Sequence, residues 1–204
     1  MKLKLKIFKK VIQSLVIILI TLPNIVFAQN KECKLLKYRP NHIKVQYAGG
    51  TAFLSAGVGY SLFNDHLDIS GLYGYVPKSV SIDDLHNFTL QFTAKTLHYN
   101  INKKIEVLPL NVGFILHHTF GHKYWVKLPK HYPHGYYWWT PGRNIGFFFG
   151  GEARIKIENN KYIKKVGAYY GLGTGLLYIA SSVTNSSIDV TDILKLGIGI
   201  VIYR

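Results

Sequence analysis

Residues 144–156 read NIGFFFGGEARIK. Ile145, Phe147, Phe149, Gly151, Ala153 and Ile155 share one parity, and Asn144, Gly146, Phe148, Glu152, Arg154 and Lys156 share the other. A repeat of two is that of a β-strand with unlike faces. One face is apolar from end to end. The other carries small, polar and charged groups. Such a strand separates two media.

The same pattern recurs on both sides of this segment. Phe88, Leu90, Phe92 and Ala94 alternate with Thr89, Gln91, Thr93 and Lys95. Leu108, Leu110, Val112, Phe114 and Leu116 form an apolar row opposite Asn111, Gly113 and His117. Val166, Ala168, Tyr170, Leu172, Leu176 and Tyr178 oppose Gly167, Tyr169, Gly171, Gly173 and Gly175. Leu194, Leu196, Ile198, Ile200 and Ile202 oppose Lys195, Gly197 and Gly199. Near the start, Ile43, Val45 and Tyr47 are apolar at odd positions, and Ala52, Leu54, Ala56, Val58 and Tyr60 at even ones. The parity switches at Gly49-Gly50, where a hairpin turn or a bulge is expected.

The connections alternate in length. Asn64–His66, 98–104 and 158–161 are short; 77–84, 119–143 and 180–189 are longer. Short turns on one side and long loops on the other are the habit of outer-membrane barrels. The reading is all-β: an antiparallel up-and-down transmembrane β-barrel of about eight strands. They are placed at 42–48, 51–63, 67–76, 85–97, 105–118, 144–156, 162–179 and 190–203. Seven residues is short for a strand that crosses a bilayer, which takes ~9–11, so 42–63 is open to being one bulged strand or two. A soluble barrel is the rival, and its outer face would carry many Lys, Glu and Asp. Here the less apolar parity is mostly Gly, Ser, Thr and Asn, which suits a narrow filled lumen. Tyr60, Tyr73, Tyr75, Tyr170, Tyr178 and Tyr203 lie near the proposed strand ends or at half-depth, several of them where an interfacial aromatic girdle is expected.

The composition agrees. The chain has 204 residues with 48% hydrophobic, 17% charged and 14% aromatic, and a formal charge of +15. Ordinary soluble domains have about 25% charged residues. One cysteine, Cys33, excludes a disulfide framework. Residues 1–28 (MKLKLKIFKKVIQSLVIILITLPNIVFA) hold five lysines, an apolar run from Val11 and a small residue at Ala28. This is the pattern of a secretory signal peptide cleaved between Ala28 and Gln29. Residues 29–41 then form a periplasmic N-terminal segment and 42–204 the barrel. Loss of five lysines leaves twenty basic against ten acidic residues, about +10. Export removes the nucleic-acid reading that a large positive charge otherwise invites.

The runs KVQYAGGTAFLSAGVGY, GYVPKS and HYPHGYY resemble a family of small exported β-barrel proteins of the Gram-negative outer membrane. The resemblance implies location and fold and transfers no catalytic residue. The final LGIGIVIYR resembles the C-terminal strand that the outer-membrane assembly machinery reads, with Arg204 rather than an aromatic last.

Two groups of candidate site residues follow. The loop 119–143 holds all three tryptophans with several cations and no acid. Lys123, Trp125, Lys127, Lys130, His134, Trp138, Trp139 and Arg143 are candidate contacts for lipopolysaccharide phosphates and sugar planes. Lys44, Lys95, Glu152, Arg154 and Lys195 fall on the lumenal parity and are expected to form an internal charge network, since buried charges must be paired. Five of nine histidines fall at 117–134. His118/His122 and His131/His134 have helical spacings in a region that reads as strand end and Pro-containing loop, with no acid near, so no metal is expected. No cofactor is expected either. The functional expectation is a monomeric, non-enzymatic envelope protein, structural or surface-binding, in contact with outer-membrane lipid and lipopolysaccharide. The alternatives are a lipid A-modifying acyl hydrolase using His118 with Ser181 or Ser182, and a narrow pore.

Overall fold

The computed structural model of the protein describes residues 39–121, 124, 140, 142–158, 160–185 and 188–204. The strands are β1 (His42–Ala48), β2 (Leu54–Leu62), β3 (Leu67–Val76), β4 (Leu85–Lys95), β5 (Tyr99–Asn100), β6 (Ile105–Phe120), β7 (Arg143–Lys156), β8 (Lys165–Gly175) and β9 (Lys195–Tyr203). Two helices, α1 (Leu176–Thr184) and α2 (Val190–Ile193), lie between β8 and β9. Strands adjacent in sequence pair antiparallel, with β5 a two-residue strand on the end of β6. β4 pairs with β6, and β1 with β9 from His42↔Tyr203 to Ala48↔Gly197. The sheet therefore closes as an eight-stranded all-β barrel, and closure leaves none of the eight long strands as an edge.

The parity reading fixes which side chains point where. His42, Lys44 and Gln46 of β1 are buried while Ile43, Val45 and Tyr47 between them are exposed. Lys44 is 4% exposed and Val45 45%. The same inversion holds on β4, where Asn87, Thr89, Gln91, Thr93 and Lys95 are buried and Phe88 is exposed. On β9, Val201 and Tyr203 are buried while Ile198 and Ile200 are exposed. The barrel has a polar inside and an apolar outside, the reverse of a protein that faces water.

β1 and β2 are separate strands joined by a turn. Ala48, Gly49 and Gly50 have φ of +57°, +80° and +74°, and the Ala48 N–H donates to the Phe53 carbonyl (3.1 Å). A Cβ on Gly49 would lie 2.7 Å from Gln46 Nε2, so both backbone and space require glycine there.

Four expectations need correction. Leu108 does not belong to the outer row. The register slips between Leu108 and Asn111, so Pro109 and Leu110 together face Gly151 of β7. This β-bulge switches the lumenal parity of β6 from even to odd, and Leu108 is fully buried inside. Proline is tolerated at such a point because it has no N–H to pair. Second, the strand placed at 162–179 ends at Gly175, and Leu176 and Tyr178 lie on α1. The run LLYIA is apolar without alternation, which a strand with unlike faces does not allow. Third, the last strand begins at Lys195, not 190, because α2 occupies its first positions. Fourth, Tyr203 is not part of an outer girdle but 7% exposed in the lumen, on the parity of Val201.

Candidate functional site: an ionic cluster in the lumen

Arg154 is fully buried on the lumenal face of β7. Two residues along the same face, Glu152 accepts from it twice: Nε to Oε1 at 2.7 Å and Nη2 to Oε2 at 3.1 Å. This fork geometry is available because residues i and i+2 of a strand stand side by side. Nη2 also donates to the Tyr203 hydroxyl (2.7 Å), which donates onward to Glu152 Oε1 (2.9 Å). The guanidinium carbon sits 4.3 Å from the centre of the Tyr203 ring. Its remaining amino group, Nη1, donates to Asp65 Oδ2.

Asp65 comes from the β2–β3 turn and folds back into the mouth of the barrel. Asn64 and Asp65 have φ of +53° and +72°, and the His66 N–H closes the turn on the Phe63 carbonyl (3.2 Å). Asn and Asp tolerate this left-handed geometry better than other side chains. Lys95 of β4 completes the cluster, with Nζ 2.6 Å from Asp65 Oδ1 and 2.7 Å from Asp68 Oδ2. Burial alone would raise the Asp65 carboxyl, but the Lys95 and Arg154 charges outweigh it and lower it to about 2. Lys44 approaches Asp68 at 3.9 Å and lies 5.4 Å from the centre of the Tyr169 ring. At the rim, Glu106 binds Lys165 at 2.8 Å and His98 at 3.0 Å. His42 Nε2 hydrogen-bonds Ser70 Oγ (2.9 Å).

Four carboxylates (Asp65, Asp68, Glu106, Glu152) thus meet four cations (Lys44, Lys95, Arg154, Lys165), and the formal charges cancel. That balance is what a buried ionic cluster needs, since an unpaired charge in low dielectric costs several kcal/mol. Asp65, His98 and Glu106 place ligand-type atoms within 4.8 Å of one another. Both carboxylates are already committed to Lys95, Arg154 and Lys165, so a metal ion would have to displace ammonium and guanidinium groups that hold them.

Beyond this cluster the lumen holds a cavity of about 40 Å³ lined by Lys44, Gln46, Gln91, Thr93, Asn111 and Tyr169 among others. Gln91 Oε1, Thr93 Oγ1 and Asn111 Oδ1 have no hydrogen-bond partner among the described residues. A buried water needs ~10–15 Å³ of such space, so the cavity has room for a few waters.

Of the lumenal residues expected from sequence, Lys44, Lys95, Glu152 and Arg154 meet in this cluster. Lys195 does not. It is exposed at the far end of β9, its Nζ on the Asp192 carbonyl (3.3 Å). It has the right parity but lies one step beyond Gly197, the last buried lumenal position of its strand. Asp65, Asp68, Glu106, Lys165 and Tyr203 were not in the expected set. Asp68 was legible, since it shares the polar parity of β3 with Ser70. Glu106 was masked by the bulge, and Asp65 by its place in a turn.

The candidate outer-loop residues Lys123, Trp125, Lys127, Lys130, His134, Trp138 and Trp139 lie outside the described residues, as do the cleavage pair Ala28 and Gln29. Arg143 begins β7 and is paired in register with His118 of β6. His118 is opposite Phe88 on β4, and its ring meets the edge of Phe120 at 4.8 Å. His117 points the other way, into the lumen, against Thr89 (2.9 Å) and Thr119 (3.2 Å). Ser181 and Ser182 turn their hydroxyls onto the α1 backbone, donating to the Leu177 and Ile179 carbonyls.

Comparison with protein-family models, curated proteins and solved structures gives no match for this chain.

Proposed function

We propose that the chain is an integral outer-membrane β-barrel, monomeric and non-enzymatic, with a structural or surface-binding role. In this reading residues 1–28 direct export, and the basic aromatic loop 119–143 faces outward toward lipopolysaccharide. The observation that carries it is the inverted polarity of the wall. Ile43, Val45, Tyr47, Leu54, Val58, Phe88, Phe149, Ile198 and Ile200 are all roughly half exposed on the outside. Moving each such side chain from water into hydrocarbon gains on the order of 1 kcal/mol. Summed round the wall, this rivals the whole ~5–15 kcal/mol stability of a typical domain. A closed barrel is also one of only two folds that satisfy all their backbone groups in lipid.

The lumen supports a closed rather than a conducting barrel. Arg154, Asp65, Lys95 and Tyr203 fill one end with direct bonds, and eight-stranded interiors are wide enough only for side chains. The surroundings of His118 give an acyl hydrolase little support: its register neighbours are Phe88 and Arg143, neither a nucleophile nor an acid. The test is fractionation with a heat-modifiability gel. The proposal expects the protein in outer-membrane fractions, with a shift in mobility between unheated and boiled samples. Recovery as a soluble periplasmic protein would refute it.

A further inference from the structure

Among the described residues, the two ends of the barrel carry different charge. Lys103, Lys104, Lys156, Lys161, Lys164 and Arg204 lie at the end where the chain terminates, and Glu158 is the one acid set among them on these turns. Asp65 and Glu106, also at this end, are taken up inside the lumen. At the opposite end, among the described residues, Lys78, Arg143 and Lys195 are set against Asp83, Asp84, Asp189 and Asp192. Among the described residues, only the first end is strongly basic.

The cations form a continuous row because the backbones that carry them are bonded in series. The Lys156 N–H donates to the Lys104 carbonyl, and the Ile157 N–H to the Lys164 carbonyl, both at 2.8 Å. The Lys164 N–H donates to the Tyr203 carbonyl, next to Arg204, again at 2.8 Å. Neighbouring strands lie ~4.8 Å apart, so the row follows the rim across β6, β7, β8 and β9. Lys103, Lys104, Lys161, Lys164 and Arg204 are exposed. Lys104 reaches Glu158 only at 3.7 Å, with both side chains more than 60% exposed. Interleaved with them on the same turns are exposed apolar and aromatic groups: Tyr99 58%, Ile101 68%, Ile155 58% and Tyr162 65%. Tyrosine and apolar side chains interleaved with lysines make the pattern of a bilayer interface.

We infer that this rim binds the headgroups of anionic phospholipids in the leaflet at the chain-terminus end of the barrel. The inference rests on the membrane-spanning reading and adds to it a lipid preference and a side. Apolar neighbours on the same turns favour lipid over a soluble acidic polymer, which would meet cations without them. A lysine near an anionic membrane surface raises local lipid affinity about fivefold, and screening by salt should weaken it.

The test uses the full exported chain reconstituted in bilayer discs of equal phosphatidylglycerol and phosphatidylcholine, with retained lipids counted by mass spectrometry. Wild type is expected to enrich phosphatidylglycerol about fivefold. The enrichment is expected to fall to near parity in the combined Lys103→Gln, Lys104→Gln, Lys161→Gln and Lys164→Gln variant. It should persist in a Lys78→Gln, Lys195→Gln control at the other end. All six positions are exposed, and a heat-modifiability gel checks that each variant is folded. Insertion without enrichment, or equal enrichment in both variants, overturns the inference alone. Failure to insert in either lipid overturns it together with the membrane reading. Binding to sedimented cell-wall polymer without lipid enrichment overturns the lipid assignment.

Discussion

Replacing Arg154 with methionine removes the one cation that touches three carboxylates. Glu152 loses two hydrogen bonds of 2.7 and 3.1 Å, and Tyr203 loses its 2.7 Å donor. Asp65 keeps Lys95 at 2.6 Å, and Glu106 keeps Lys165 at 2.8 Å. Glu152 therefore bears the loss, with only the Tyr203 hydroxyl still donating to it (2.9 Å). The lumen is left one charge short of balance at a site where Arg154 is fully buried and Glu152 is 6% exposed. Breaking a buried pair by removing one partner costs about 3–5 kcal/mol. Replacing both with similar-sized neutral groups is often close to neutral. Arg154→Met alone should therefore lose about 3–5 kcal/mol, and Arg154→Met with Glu152→Gln should recover at least half of it. The assay is urea unfolding of the refolded protein in lipid vesicles, read by tryptophan fluorescence and by the gel shift. A single-variant loss below ~1 kcal/mol, or a double variant as unstable as the sum of the singles, would refute the argument that charge balance governs this cluster.

Asp65 gives a pH dependence. Its folded carboxyl is lowered to about 2 and an unfolded one titrates near ~3.9, so its stabilisation of about 2 kcal/mol is present above pH ~4 and lost as pH falls through 2. Asp65→Asn should flatten that acid limb of the unfolding midpoint, and an unchanged limb would count against the cluster. Gly49→Ala should cost more than Gly50→Ala by about 1 kcal/mol or more. Both have positive φ, but only at Gly49 does a Cβ fall 2.7 Å from a neighbour, against 3.5 Å at Gly50; equal unfolding midpoints would contradict this. Ile200→Arg on the outer wall should cost about 2–4 kcal/mol in a bilayer if the site is near its midplane, while an exposed site in water would tolerate it within ~0.5 kcal/mol.

The wall of the barrel was legible because its strands turn one face to a polar lumen and the other to an apolar outside. Phe147, Glu152 and Arg154 declare their sides in one short segment, and the turn at Gly49-Gly50 was marked by its glycines and by the parity switch. Legibility failed where a local event reset the period. The bulge at Pro109–Leu110 inverted the reading of Leu108 and concealed Glu106, although a proline within a strand pattern was its available signal. Helix α1 followed β8 without a breaker stronger than Gly175. The ionic lumen was half legible for the same reason. Lys44, Lys95, Glu152 and Arg154 sit on strands, where parity speaks. Asp65 sits in a turn, where it does not, and only the closed fold brings it to Lys95 and Arg154. Lys195 shows the converse limit: parity assigns a side but not a depth.

The central claim is that the outside of this barrel faces lipid and the inside does not. Single cysteines at Ile198, on the outer face of β9, and at Ile82, in the exposed loop between β3 and β4, in a chain with Cys33→Ser, place a fluorophore on the wall and off it. In vesicles with brominated acyl chains, the label at position 198 should be strongly quenched, and the label at position 82 should be quenched little by the lipid and freely by aqueous iodide. Quenching of the 198 label by aqueous iodide and not by brominated lipid would contradict the account.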